Sequence, residues 1–137
     1  MGDLALRAVL DTSVLIDDRA VPPGIQASIS TISLSEIHFG VLAVRDEDTR
    51  RTRVARMGLL ESRFPHPLPF DARVARICGQ LQAAVAQRGG NPRGRFADLA
   101  IAATAVSYGA ILITANPKDL KLVRDLVTVR VPAAAED

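Results

Sequence analysis

Four short apolar runs, separated by longer stretches of helical period, limit this chain to a small set of folds. Ala8 to Leu10, Ile29 to Ser33, Ala110 to Thr114 and Val127 to Val131 read as strands, each too short to be a helix of ordinary length. Strands that alternate with helices predict an α/β fold with a central, mostly parallel sheet flanked by helices on both faces and joined by right-handed crossovers. No internal repeat or second domain is visible. A single domain over residues 1–137 is therefore expected, with a tail from about Pro132 that can fray.

The intervening stretches carry their own punctuation. Thr12 to Asp17 suits a short helix, Val21-Pro22-Pro23-Gly24 interrupts it, and Ile25 to Ser28 reads as one further helical turn. From Leu34 to about Val44 the apolar stripe Leu34, Ile37, Val41 and Leu42 includes His38, which reads as a packing histidine. Asp46 to Ser62 sets Arg50, Arg51, Arg53 and Arg56 beside Val54, Met57 and Leu60, an amphipathic helix with a solvated basic face. Phe64 to Phe70, with three prolines, suits an extended edge segment, and Asp71 can cap a helix running to about Gln87. The loop from Gly89 to Gly94 precedes a helix from Phe96 to Val106 that is apolar nearly all round and ends at Tyr108-Gly109.

Hydrophobic residues at 48% and charged residues at 23% exclude a disordered chain. The net charge of +2 rests on arginine, since Lys118 and Lys121 are the only lysines, and it permits a nucleic-acid partner without requiring one. Cys78 has no second cysteine to pair with, which fits a reducing cytoplasm. A basic leader before an apolar core is absent, and no apolar run approaches the ~20 residues of a membrane span, so a cytoplasmic protein without membrane contact is expected.

Four polar residues stand where a parallel sheet presents ligands, outside the carboxyl ends of its strands: Asp11, Glu36, Asp98 and Asn116. Each also has a local explanation. Asp11 can cap the short helix after it, Ser33-Leu34-Ser35-Glu36 matches a capping box, and Asn116-Pro117 matches an N-cap followed by proline. Asp98, in the most apolar helix, needs a metal, a hydrogen-bond donor or a partner such as Arg93 or Arg95. If the carboxylates converge, their mutual repulsion calls for a cation, and an oxygen-only donor set suits Mg²⁺ or Mn²⁺. Zinc is not indicated, because His38 and His66 lack ligand partners at useful spacing.

The strings Val9-Leu10-Asp11-Thr12-Ser13-Val14-Leu15-Ile16, Ser33-Leu34-Ser35-Glu36-Ile37-His38-Phe39-Gly40, Phe96-Ala97-Asp98-Leu99-Ala100-Ile101-Ala102-Ala103-Thr104-Ala105 and Ile113-Thr114-Ala115-Asn116-Pro117-Lys118-Asp119-Leu120 occur in that order. Together they resemble the PIN-domain ribonucleases of VapC type across nearly the whole chain. The resemblance implies a PIN-like three-layer fold, an acidic core at Asp11, Glu36 and Asp98, and Mg²⁺- or Mn²⁺-dependent cleavage of RNA. It also implies a homodimer, and a toxin role countered by a cognate VapB-like antitoxin. Family members often carry aspartate at the fourth position, where this chain has Asn116 followed one turn later by Asp119, so either residue is a candidate for the remaining ligand. Thr12, Ser13 and Thr114 are placed to orient the carboxylates or to serve turns. Arg93 and Arg95, beside the glycine loop, can guide an RNA backbone.

Two other readings use the same residues. One is a phosphoryl-transfer α/β enzyme with Asp11 as nucleophile, although Asp11-Thr12-Ser13 lacks a second aspartate two residues on, and neither GxxxxGK[ST] nor GxGxxG is present. The other is a non-catalytic binding module whose acids are caps and whose basic helix docks a partner.

Overall fold

Strand β1 (Leu6–Leu10) lies inside a four-stranded sheet of order β2-β1-β3-β4, with β2 at Ile25–Ser28, β3 at Ile111–Ile113 and β4 at Val129–Arg130. The computed structural model describes residues 6–16 and 21–132. Every pairing is parallel, with Ala8 opposite Ala27 on one side and Ile111 on the other. Five helices complete the described residues: α1 (Thr12–Ile16), α2 (Thr31–Leu42), α3 (Glu47–Arg63), α4 (Ala72–Gln87) and α5 (Phe96–Ser107), followed by a 3₁₀ segment at Pro117–Val123. The expected end of the first helix at Asp17 and the tail beyond Pro132 lie outside the described residues.

The alternation of side chains along β1 and β3 divides the core in two. Val9 and Leu112 join Val74, Cys78, Leu81 and the buried face of α5 on one side of the sheet. Ala8, Leu10, Ile111 and Ile113 meet Val14, Leu15, Ile29 and Phe64 on the other. Helices therefore cover both faces, in three layers, as a buried parallel sheet requires. Helix α5 is buried over most of its length, from Leu99 to Ala105, which accounts for its lack of a polar face.

Several local expectations are corrected. Ile25 to Ser28 is not a helical turn but β2, because pairing with β1 outweighs the weak strand preference of Gln-Ala-Ser. Ile29 to Ser33 is not a strand. Ser30 is the N-cap of α2, its hydroxyl accepting from the Ile32 N–H at 3.0 Å, so the capping box at Ser33–Glu36 does not form. Ile29 and Thr31 instead exchange backbone hydrogen bonds with Leu68 at 2.8 and 3.0 Å, which places the proline-rich segment along this edge. His38 is not packed in the core; it is part-exposed, 3.5 Å from Glu61.

Helix α3 buries none of its residues, so Val54 does not serve as a core position. Its basic face is exposed, as expected, and from it Arg53 donates to Gly40 O at 3.0 Å and Arg56 to Ile16 O at 2.8 Å, tying α3 to the ends of α2 and α1. The core does not enclose all the aromatics either: Phe39 is 72% exposed and Phe96 43%.

Candidate functional site

The chain steps from β1 outward to β2 and later returns to the opposite side of β1 as β3, so the strand order reverses between β1 and β3. Parallel sheets open a crevice at that reversal, outside the carboxyl ends of the strands. Asp11 follows β1 and Thr114 follows β3, and the Asp11 N–H donates to Ile113 O at 2.9 Å, continuing the sheet by one residue.

The carboxylate of Asp11 is fixed from both strands. Ser13 Oγ donates to its Oδ2 at 2.6 Å and Thr114 Oγ1 donates to the same oxygen at 2.9 Å. Each hydroxyl also accepts a backbone N–H, Ser13 from Ala115 and Thr114 from Asn116, both at 3.1 Å. Having one proton each, the hydroxyls direct it at Asp11. Oδ1 carries no hydrogen bond among the described residues. The carboxylate of Asp11 is therefore not a helix cap; its backbone carbonyl, which accepts from the Val14 N–H at 3.0 Å, starts α1 instead.

Asp11, Asp98, Thr114, Asn116 and Asp119 line one small cleft. Asp98 enters it from the first turn of α5, and Asn116 and Asp119 from the start of the 3₁₀ segment. Asn116 precedes Pro117 as the sequence suggests, but its side chain makes no capping bond and remains exposed. Glu36 does not line this cleft. It is held to one side on α2, where Thr12 Oγ1 donates to its Oε1 at 2.7 Å, and the Thr12 hydroxyl is also bonded to the buried Ser33 hydroxyl at 2.9 Å. Ser33 escaped the sequence reading because its capping-box spacing disguised a residue inside the helix.

Charge in the cleft is unbalanced. Burial, then the negative charges of Asp11 and Asp119, push the Asp98 carboxyl up to about 6; Arg95 opposes the shift and Glu36 adds to it. The Arg95 guanidinium stands between two acids, 3.2 Å from Asp119 and 3.7 Å from Asp98. The i,i+3 spacing of Arg95 and Asp98 signals the second contact; nothing local signals the first. Arg93 does not pair with Asp98. Among the described residues no three acids, histidines or cysteines gather at the spacing of direct ligands to one ion, so joint ligation requires side chains to turn inward. The donor chemistry nonetheless fits a hard divalent cation: the candidate ligand atoms are oxygens, one acid has its ionised form disfavoured by burial and like charge, and a guanidinium already takes a cation's place between two carboxylates.

Residues 8–126 match the model of the PIN domain. The chain is 33% identical over 122 residues to Ribonuclease VapC5 of Mycobacterium tuberculosis, covering 83% of this chain and 86% of that one. It is 32% identical over 131 residues to Ribonuclease VapC of Rickettsia bellii, covering 90% and 96%. Among solved structures, VapBC-5 from Mycobacterium tuberculosis, a member of the VapBC family of toxin-antitoxin systems, superposes with a TM-score of 0.76 at 31% identity, covering 92% of this chain and 97% of the other. The DNA-bound VapBC of Salmonella typhimurium shares the fold, with a TM-score of 0.72 at 23% identity over 92% and 98% of the two chains. With its acidic cleft at the β1–β3 reversal and a match over most of its length, this chain belongs to the PIN-domain family and has VapC proteins as its relatives.

Proposed function

We propose that the chain is a Mg²⁺- or Mn²⁺-dependent endoribonuclease, acting in the cytoplasm as the toxin of a pair whose other member is a VapB-type antitoxin. The observation that carries the reading is the convergence of Asp11, Asp98, Asn116 and Asp119 on one cleft at the strand-order reversal, with Asp98 raised by burial and by its acidic neighbours. Relatives bearing the name ribonuclease, at 33% and 32% identity, support the substrate class.

A divalent ion in such a cleft supplies an acidified water and neutralises charge on the phosphate during in-line displacement. Asp11 and Asp98 are the residues to hold it, with Asp119 or Asn116 completing the oxygen set. Ser13 and Thr114 keep Asp11 in one rotamer and leave its Oδ1 available. Glu36, anchored by Thr12, either joins the ligand set or accepts a proton from water. No covalent nucleophile is required.

The partner half of the proposal is supported by solved relatives that are toxin-antitoxin complexes and by apolar side chains left in solvent, Phe39 at 72%, Leu42 at 77% and Leu59 at 73% exposure. The family resemblance extends the proposal to a homodimer, which the mass in solution checks. No helix among the described residues is long and apolar enough to cross a membrane.

The test is incubation of purified protein with end-labelled structured and unstructured RNAs. Internal cuts are expected with Mg²⁺ or Mn²⁺ and none in excess EDTA. Cleavage undiminished by chelator would overturn metal dependence. A phosphoryl-aspartate trapped at Asp11 would favour phosphoryl transfer, and absence of both cleavage and metal binding would favour a binding module.

A further inference from the structure

Beside the acidic cleft lies a second cleft of about 430 Å³ between the Gly89–Asn91 loop and the 3₁₀ segment. Asp119 and Leu120 line both, so the two clefts adjoin. The volume lies in the range of small-ligand pockets.

Its walls are built rather than incidental. Arg88 Nη1 donates to Leu122 O at 2.5 Å and to Asp125 at 2.8 Å, clamping the end of α4 to the 3₁₀ segment. A Cβ at Gly90 would fall 2.5 Å from Leu122 Cδ1 and 2.7 Å from Val85 Cγ1, so the loop passes this close only as glycine. Val85 and Leu122 give the cleft apolar lining.

Its charge is of the opposite sign to the cleft beside it. Arg88 is committed to Asp125, and Arg95 to Asp98 and Asp119. Lys118 and Lys121, the only lysines of the chain, line the cleft, are exposed, and have no carboxylate partner among the described residues. An acidic cleft repels a polyanion, so a strand presented to it needs attraction from an adjoining surface.

We propose that this second cleft is the subsite for the nucleotide next to the scissile phosphodiester, with Lys118 and Lys121 on the phosphates and the apolar lining against sugar or base. The inference rests on the RNA-cleaving reading above. An acidic peptide would also satisfy two lysines, but adjacency to the acidic cleft, which shares Asp119 with this one and whose Asp98 and Asp119 both lie within 3.7 Å of Arg95, favours the nucleic acid.

The experiment measures binding, not cleavage. The full chain in excess EDTA is titrated against a short fluorescent single-stranded RNA over a range of salt, as wild type, Lys118→Ala/Lys121→Ala and Lys118→Arg/Lys121→Arg. Arg51→Ala, on the exposed face of α3, serves as a charge control. The alanine pair should raise Kd about tenfold at moderate salt and flatten the log–log salt slope by about 1.4, as expected for two lost phosphate contacts on a single strand. The arginine pair should restore affinity, Arg51→Ala should change little, and calorimetric Mn²⁺ affinity should be unaltered in all. If wild type binds and cleaves RNA while the alanine pair binds it equally well, or no worse than Arg51→Ala does, the subsite is overturned and the nuclease reading stands. If the alanine pair weakens only a VapB-type partner, the cleft is a protein site. If wild type neither binds nor cleaves RNA, both readings fall.

Discussion

Thr114 Oγ1 donates to Asp11 Oδ2 at 2.9 Å, joining the carboxyl ends of β3 and β1 across 103 residues of chain. Thr114 is only 2% exposed, and its hydroxyl also accepts the Asn116 N–H, so one buried group positions the carboxylate and the turn that carries Asn116. Thr114→Val keeps the shape and removes both bonds. Metal affinity should fall at least about tenfold, the usual scale for a group that orients a ligand. Stability should fall by about 1 kcal/mol. Calorimetry with Mn²⁺ and a denaturant melt measure the two, and unchanged Mn²⁺ affinity would show that Ser13 alone holds Asp11.

Asn116 reaches the cleft with its side chain free of any capping role. Asn116→Asp adds a charged oxygen beside Asp98 and Asp119, and should strengthen Mn²⁺ binding severalfold. The same charge adds repulsion against Asp98 and Asp119 in the metal-free protein, so its melting temperature in EDTA should drop slightly. Weaker Mn²⁺ binding would remove Asn116 from the ligand set and leave Asp119 as the candidate.

The raised Asp98 carboxyl makes the metal-free protein sensitive to mild acid in a direction opposite to that of most ion-paired acids. Its folded value is about 6 against an ordinary 3.8, so between these limits the native state holds a proton that the unfolded chain has lost. The resulting stabilisation is complete below pH ~3.8 and is lost as pH rises through about 6. Metal binding has the reverse sign, because the proton and the cation compete for the carboxyl, and Mn²⁺ affinity should decline as pH falls below about 6. Melts in EDTA compared with those of Asp98→Asn isolate the first effect, and calorimetry across the same range isolates the second. Any advantage of the Asn variant should shrink as pH falls from 8 towards 4, and an advantage that grows over that range would contradict the assignment.

The parts of the fold that were legible are those where local chemistry and tertiary packing agree. Ala8–Leu10 of β1 and Ile111–Ile113 of β3 are apolar runs buried on both faces, α5 is apolar nearly all round because it is buried almost all round, and Asp71 caps α4 as its position suggests, accepting from the Val74 N–H at 3.0 Å. Ser30 and Ser33 show why the start of α2 was not. Both suit an N-cap, and the choice between them depends on Leu68 pairing with Ile29 and Thr31, and on Thr12 meeting Ser33, contacts made by residues distant in sequence. The same holds within the site. Asp11 and Asp98 could be singled out because a carboxylate ends an apolar strand or sits in an apolar helix, whereas the bridge from Arg95 to Asp119 exists only once the 3₁₀ segment lies against α5. Helix α3 divides its apolar positions: Leu60 packs against the core, whereas Val54 and Leu59 face solvent in the single chain.

Asp98 acts in a like-charged cation site rather than in a structural ion pair, and thermal melting of Asp98→Asn with and without Mn²⁺ tests this directly. Arg95 retains Asp119 at 3.2 Å when Asp98 loses its charge, so no guanidinium is left unpaired. The predicted result is a variant at least as stable as wild type in EDTA that gains no stability from Mn²⁺, while wild type gains it. A variant destabilised in EDTA on the order of 3 kcal/mol, as when a buried ion pair is broken, or one stabilised by Mn²⁺ as strongly as wild type, would contradict the account.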